Sequence, residues 1–599
     1  MQLTSIDWAL IGLYFGLSLW IGLQGRRKSA SSAGEFFLSG RNMPWWLLGV
    51  SMVATTFSCD TPNLVADIVR QNGVSGNWAW WAFLLTGMLT VFVYARLWRR
   101  SGVLTDLEFY ELRYSGKEAK FLRIFRALYL GVFFNVMIMA TVSLAAIKIG
   151  QVLFNAPPTT TLLVSAFVTV AYASIGGFRS VLLTDFFQFI IAMIGSVGAA
   201  MVVLRLPEVG GLSGLTQHPA LTDKLNLLPD FSDSTTLIPL LIVPLAVQWW
   251  SVWYPGAEPG GGGYVAQRML AAKNEDHAVG ATLFFNVAHY ALRPWPWIIV
   301  GLASLIVYPT LADLQAAFPH IANNKLGHDL GYPAMLHFMP AGLAGIVVAS
   351  LAAAYMSTLA THLNWGASYI VNDFYLRAIN PKADDQKQVL VGRLSTVVLM
   401  ILAAGVALLL STALDAFHIL LQIGAGTGLL FILRWFWWRI NAWSEFAAMT
   451  ISFAVAIYFK LIHPLCGLPP LPEWQQLVLG VLITTFGWVT ATLLTKPSDH
   501  NTLIAFYRHI KPAPAGWAPV IHRGLAEGSI TPKETQTTGG LAHQVAGMAL
   551  GSLTVYAALF ATGYALYGNR AAFVTALIIT GAGTLSIYKL LKKSQKASS

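Results

Sequence analysis

Residues 44–72, PWWLLGVSMVATTFSCDTPNLVADIVRQN, are apolar enough to enter a bilayer, yet their middle resists an ordinary helix. Asp60, Thr61 and Pro62 fall about where the hydrocarbon centre lies. Pro62 removes a backbone donor and disfavours helix at Thr61. Asp and Thr are N-cap residues, and Pro suits the first turn that follows. The stretch therefore predicts two half-helices, one ending near Phe57 and one restarting near Pro62. The first half leaves the carbonyls of Ala54 to Phe57 without intrahelical donors. At the negative end of a helix dipole, such oxygens can bind a small cation. Bare backbone is tolerated in a membrane only where protein or a watery cavity covers it. The competing reading is a kinked helix with a buried, paired Asp60.

The composition agrees with a polytopic membrane protein: 599 residues, 56% hydrophobic, 11% charged, mean hydropathy +0.60. The net charge of +11 sits mostly between hydrophobic runs, where orientation and lipid head groups explain it; no nucleic-acid partner is implied. Cys59 and Cys466 give neither a disulfide framework nor a metal-ligand cluster. There is no zinc, P-loop or dinucleotide motif, and no nucleophile constellation, so no catalytic residue is assigned.

Residues 1–7 carry no positive charge, whereas Arg26, Arg27 and Lys28 follow the first apolar run. That predicts an outside N-terminus and no cleaved signal peptide. The first span covers roughly 7–25, the second is the broken one, and the next four lie near 76–98, 127–154, 159–175 and 181–204. A seventh begins near Leu237 and is interrupted by QWWSVWYPGAEPGGGGYVAQR. Arg268 and Lys273 place its end inside. Further spans lie near 279–307, 339–375, 389–411, 414–434, 441–462, 474–495, 541–567 and 571–590. The expected fold is thus all-α, with about fifteen transmembrane helices and the C-terminus inside. Residues 1–40 form an extra helix and basic loop, 41–440 a core, and 441–599 additional helices with a cytoplasmic connector at 496–540.

Spans two to six and seven to eleven make two sets of five, each beginning with an interrupted helix. Matching interruptions in two halves point to a transporter built from inverted repeats, with sites near the midplane. The ninth span supplies a second wall: Ala354, Ser357 and Thr358, at i, i+3 and i+4, share a helix face. Two hydroxyls and three carbonyls would make a neutral cage for Na+, a hard cation suited to oxygen donors. Plain helix packing by small residues is the competing explanation. Glu258 and Arg293 are intramembrane charges, which suggest function by default; they could also simply pair with each other. Trp253 and Tyr254 can stack on a ring, gate a site, or only pack. Gln422 and His418 are further polar candidates.

The chain resembles the sodium:solute symporter family, whose members share the LeuT-type inverted-repeat fold. The resemblance is carried by FFLSGRNMPWWLLGVSMVATTF, YASIGGFRSVLLTDFFQ, YVAQRMLAAKNED and AAAYMSTLATHLNWGASYIVNDFY, over roughly residues 36–440. It implies a sodium site at Ala54, Phe57, Ala354, Ser357 and Thr358. The family's aspartate early in the sixth span falls on Asp185. In members with a second sodium site, two more hydroxyls of the ninth span join it. Here those positions are Ala360 and Thr361, so one hydroxyl is missing, and Asp185 would then tune the first site or carry a proton. The polar positions that hold sugar hydroxyls in relatives fall on Asp60, Thr61, Trp80 and Phe83; Trp80 and Phe83 depart from that pattern.

The resemblance implies a sodium-coupled symporter of the cell membrane that imports a small polar solute by alternating access. A sugar or sugar derivative is the first expectation. An amino acid or small carboxylate, a proton-coupled carrier and a membrane ligand sensor are the alternatives. The partners expected are the solute and the lipid bilayer, with no obligatory protein partner.

Overall fold

The computed structural model describes residues 3–29, 38–103, 105–173, 178–251, 259–260, 262–535 and 540–598. Among these the regular structure is helical; a single isolated bridge pairs Met43 with Ala272. Helix α1 spans Ser5–Ser29. The decisive stretch then breaks as the sequence predicts. Helix α2 (Trp45–Thr56) stops, Phe57 leaves helical backbone at φ −88° and ψ 80°, and α3 (Asp60–Asn72) begins.

The restart differs in one detail from the N-cap expected of Asp60 or Thr61. Cys59 holds the cap position and makes no side-chain cap, so Asp60 and Thr61 lie inside the first turn. The Thr61 hydroxyl instead reaches back across the break to the Thr56 carbonyl (3.4 Å). Pro62 still fits, because a first-turn residue has no intrahelical bond to lose.

The first set continues with α4 (Val74–Ser101), α5 (Gly116–Phe154), α6 (Pro158–Ala173) and α7 (Phe178–Leu204). The second interruption lies between α8 (Ser234–Ala246) and α9 (Gly263–Ala271). Then follow α10 (Glu275–Val307), α11 (Leu343–Ile379), α12 (Asp385–Leu409) and α13 (Ala413–Leu433). The basic stretch between residues 116 and 126, which precedes the fourth span, is part of α5 itself. Its helix continues through charge because buried Arg123 reaches Asp373 (2.6 Å) and Glu111 (2.5 Å).

The two halves of the first break pack into the core. Helix α2 packs on α7, α10 and α11, and α3 packs on α10 and α13. A π-turn at Ala288–Leu292 bends α10 beside the first break. Its cause is Pro294, which cannot continue the ladder, so the Arg293 N–H bonds back to Ala288 O (3.2 Å).

Beyond the two sets lie α14 (Ala442–Leu465), α15 (Glu473–Leu494), a connector helix α16 (His500–Ile510), α17 (Leu541–Leu566) and α18 (Arg570–Ser598). The connector docks through Arg113, whose guanidinium lies over Trp517 (4.8 Å) and Phe506 (5.3 Å). Trp517 Nε1 donates to Trp435 O (3.0 Å). Helix α17 lies on α4 and α10: Tyr556 donates to Trp81 O (2.8 Å), and Trp295 Nε1 donates to Leu559 O (3.2 Å).

Gly428 marks the tightest contact of α13 with the second interruption. A Cβ there would stand 1.6 Å from the carbonyl oxygen of Trp250. Neither backbone can yield without moving a helix, so Gly428→Ala should lower the thermal unfolding temperature of the purified protein, at a cost of about 1–3 kcal/mol. A melting curve matching wild type would contradict this contact.

Candidate functional site

The end of α2 is the focus. Phe57 N–H closes the helix by donating to Val53 O (2.9 Å) and Ala54 O (3.1 Å). The following carbonyls find donors from other segments: Thr55 O accepts from the Thr358 hydroxyl of α11 (3.1 Å). Ala54, Phe57, Ala354, Ser357 and Thr358 are all buried, and the Thr358 bond brings the hydroxyl face of α11 against the last turn of α2. The two walls read from the sequence therefore meet.

Asp185 of α7 stands behind this meeting point. Its carboxylate accepts from Ser357 Oγ (2.7 Å) and Ser51 Oγ (2.5 Å), tying α11 to α2. Arg268 of α9 faces it at 3.7 Å and also donates to Ser51 Oγ and Thr55 Oγ1, both at 3.2 Å. Arg268, which the sequence placed near the end of a span, is fully buried. A signal for Ser51 and Thr55 exists in the sequence: they are spaced i, i+4 and so share one face of α2. The buried hydroxyl of Thr361 makes no hydrogen bond, to Asp185 or to any other described residue.

A cavity of about 60 Å³ opens on the other side of the break. Asp60, Thr61, Trp80 and Arg293 line it together, joined by Thr56, Thr141, His289 and Phe417, which the sequence reading did not single out. The π-turn places His289 and Arg293 here. Arg293 Nη1 donates to Val53 O (3.3 Å) and Thr56 Oγ1 (3.1 Å), and its guanidinium lies 5.3 Å over Trp297. A cation at the C-terminal end of α2 is placed as the helix dipole favours. Trp80 stacks on Tyr290 at 5.8 Å and donates to Asn77 Oδ1 (2.9 Å). One carboxylate oxygen of Asp60 is buried with no hydrogen-bond partner.

The remaining candidates separate. Gln422 lines a different cavity of about 330 Å³ and donates to Gln476 Oε1 (3.0 Å), so it does not join Asp60. His418 lines that second cavity too, beside Glu473 (2.5 Å). Trp253, Tyr254 and Glu258 lie outside the described residues. Two further polar ties are buried in the core. In one, Lys148 pairs with Asp329 (2.6 Å), which also accepts from Ala413 N (3.1 Å). In the other, Asp106 accepts from the Tyr369 hydroxyl and from Gly263 N (2.8 Å).

The sequence profile of the sodium:solute symporter family matches residues 36–452. The chain belongs to this family. Among curated relatives it is 25% identical over 521 residues to a sodium/glucose cotransporter of Vibrio parahaemolyticus, covering 83% of this chain and 92% of that one. It is 24% identical to a sodium/mannose cotransporter of Bos taurus, over 78% of this chain and 82% of that one. A sodium/myo-inositol cotransporter of Oryctolagus cuniculus is 25% identical over 83% of this chain and 78% of its own. A solved Na+-coupled sialic acid symporter superposes with a TM-score of 0.63 over 83% of this chain and 99% of that one, at 21% identity. The fold is thus that of a LeuT-type symporter. The protein is an integral, multi-pass sodium-coupled symporter of the cell membrane, with Na+ as its coupling ion.

If the symporter's hydroxyls on α11 hold that ion, Ser357→Ala combined with Thr358→Ala should remove the extra thermal stability that sodium gives over potassium. The loss of two oxygen ligands should weaken sodium at least about ten-fold. An undiminished sodium response would move the ion elsewhere.

Proposed function

We propose that this symporter imports a sugar or a closely related polyhydroxyl solute, bound in the cavity beside the first break. The unpartnered oxygen of Asp60 supports this reading most directly. A carboxylate oxygen that the surrounding protein leaves without a donor can accept one from a bound solute. Vicinal hydroxyls supply such donors, and Trp80 adds an aromatic wall to the same cavity. Arg293 is the cation that would greet an acidic solute, but its guanidinium is engaged by Val53, Thr56 and His289. The relatives named for glucose, mannose and myo-inositol share this chemistry.

In this reading one Na+ sits among the carbonyls of Ala54, Phe57 and Ala354 and the hydroxyls of Ser357 and Thr358. Sodium from outside bridges α2 to α11 and sets the walls of the solute cavity. Two buried polar ties, Lys148–Asp329 toward the outside and Asp106–Tyr369 toward the cytoplasm, then open in turn. Coupling is mutual: sodium that tightens the solute must be tightened by it to the same degree. Residues 41–440 form the transport core in this scheme, flanked by the N-terminal segment and the helices after 441.

A thermal-shift screen of sugars, polyols, amino acids and small carboxylates, run in sodium and in potassium, tests the assignment. A polyhydroxyl solute should stabilise the protein in sodium alone, and Asp60→Asn should weaken it about ten-fold or more. Stabilisation only by amino acids or carboxylates would replace the sugar; pH-driven uptake indifferent to sodium would replace the coupling ion.

A further inference from the structure

Arg268 stands within the hydrogen-bonded set that surrounds the sodium cage, yet it is neither a cage residue nor a wall of the solute cavity. Its guanidinium touches both hydroxyls of α2 on this face, Ser51 and Thr55, and faces Asp185 at 3.7 Å. Asp185 in turn holds Ser357, and Thr55 gives its carbonyl to Thr358. Arg268 is therefore linked to both cage hydroxyls through a single intervening residue in each case. We propose that Arg268 is a tethered counter-ion, which neutralises Asp185 when the cage is empty and competes with Na+ for that carboxylate when it fills. This rests on the sodium cage assigned above.

The physical case is one of charge. Asp185 and Arg268 are both about 1% exposed at the side chain. A carboxylate left alone at such a site costs several kcal/mol, so a carrier that returns empty needs a replacement cation. The cage itself is built of neutral carbonyls and hydroxyls and offers none. A second cation near the same carboxylate is repelled by the first, the more strongly the less water lies between them. Arg268 must therefore weaken sodium binding while it holds its present position. It also has somewhere to go. Arg268 lines a cavity with Gln267, Thr361 and Asp106, so a second carboxylate and an unbonded hydroxyl share the space beside it. Because Arg268 belongs to α9, its movement would carry the state of the cage to the second interruption.

The test is a sodium titration of the purified full-length protein by thermal shift, with choline holding ionic strength constant. Arg268→Gln should lower the half-saturating sodium concentration about ten-fold, since the competitor is gone and Asp185 is free to attract the ion. Asp185→Asn added to Arg268→Gln should cancel that gain. A half-saturation unchanged or raised in Arg268→Gln overturns the proposal, and so does a double variant as tight as the single. If Arg268→Gln does not yield folded protein, Arg268→Lys carries the test. A compact ammonium cannot reach Ser51, Thr55 and Asp185 together and competes less well, so its half-saturation should fall about three-fold; an unchanged or raised value overturns the proposal. A wild-type protein that shows no sodium response at all would instead sink the cage on which the proposal stands.

Discussion

A peptide group inside a bilayer has no water to fall back on, and the end of α2 leaves several such groups in one place. The core is arranged to answer that need. Phe57 turns its own N–H back to Val53 and Ala54. Thr358 comes from α11 to the Thr55 carbonyl, Thr61 comes from α3 to Thr56, and Arg293 comes from α10 to Val53. Three segments are thus drawn to a single helix end. Each brings a polar group that is either a potential ligand or a neighbour of one. The break is costly in isolation, and the contacts it recruits are what bring a site into being.

Charge is distributed around that end with a clear division. On the side of α11 the groups nearest the helix end are neutral hydroxyls, and the carboxylate of Asp185 stands behind them with Arg268. On the opposite side Arg293 covers the last turn and Asp60 opens the next helix. A small cation and a hydrogen-bonding solute would then occupy opposite faces of the same few peptide units. Movement of the half-helix affects both at once, which gives coupling a short physical route.

Much of this was legible in the chain because it depends on local chemistry. Pro62 and the run around it located the break within two residues, and the i, i+3, i+4 spacing of Ala354, Ser357 and Thr358 located the opposing wall. The sequence was silent where burial overrides residue type. Arg268 and Arg123 are charges whose side chains are buried, each facing a carboxylate far away in the chain, and the sequence does not announce those partners. His289 and Phe417 reach the cavity beside the first break because a π-turn and the start of α13 place them there, which no periodicity announces. Gln422 shows the converse: polarity inside a span found a different partner, Gln476, in a different cavity.

Helix α17 has one further implication. It is fastened to α4 through Tyr556 and to α10 through Trp295, and α18 packs against it in turn. Whatever displacement α4 and α10 undergo must be shared by this pair. The outer helix, α18, is exposed along much of its length to whatever surrounds the protein, with Leu577, Ile578 and Leu585 turned outward. Acyl chains would then press directly on a limb joined to the working core, so the thickness and fluidity of the surrounding lipid enter the cycle as mechanical load.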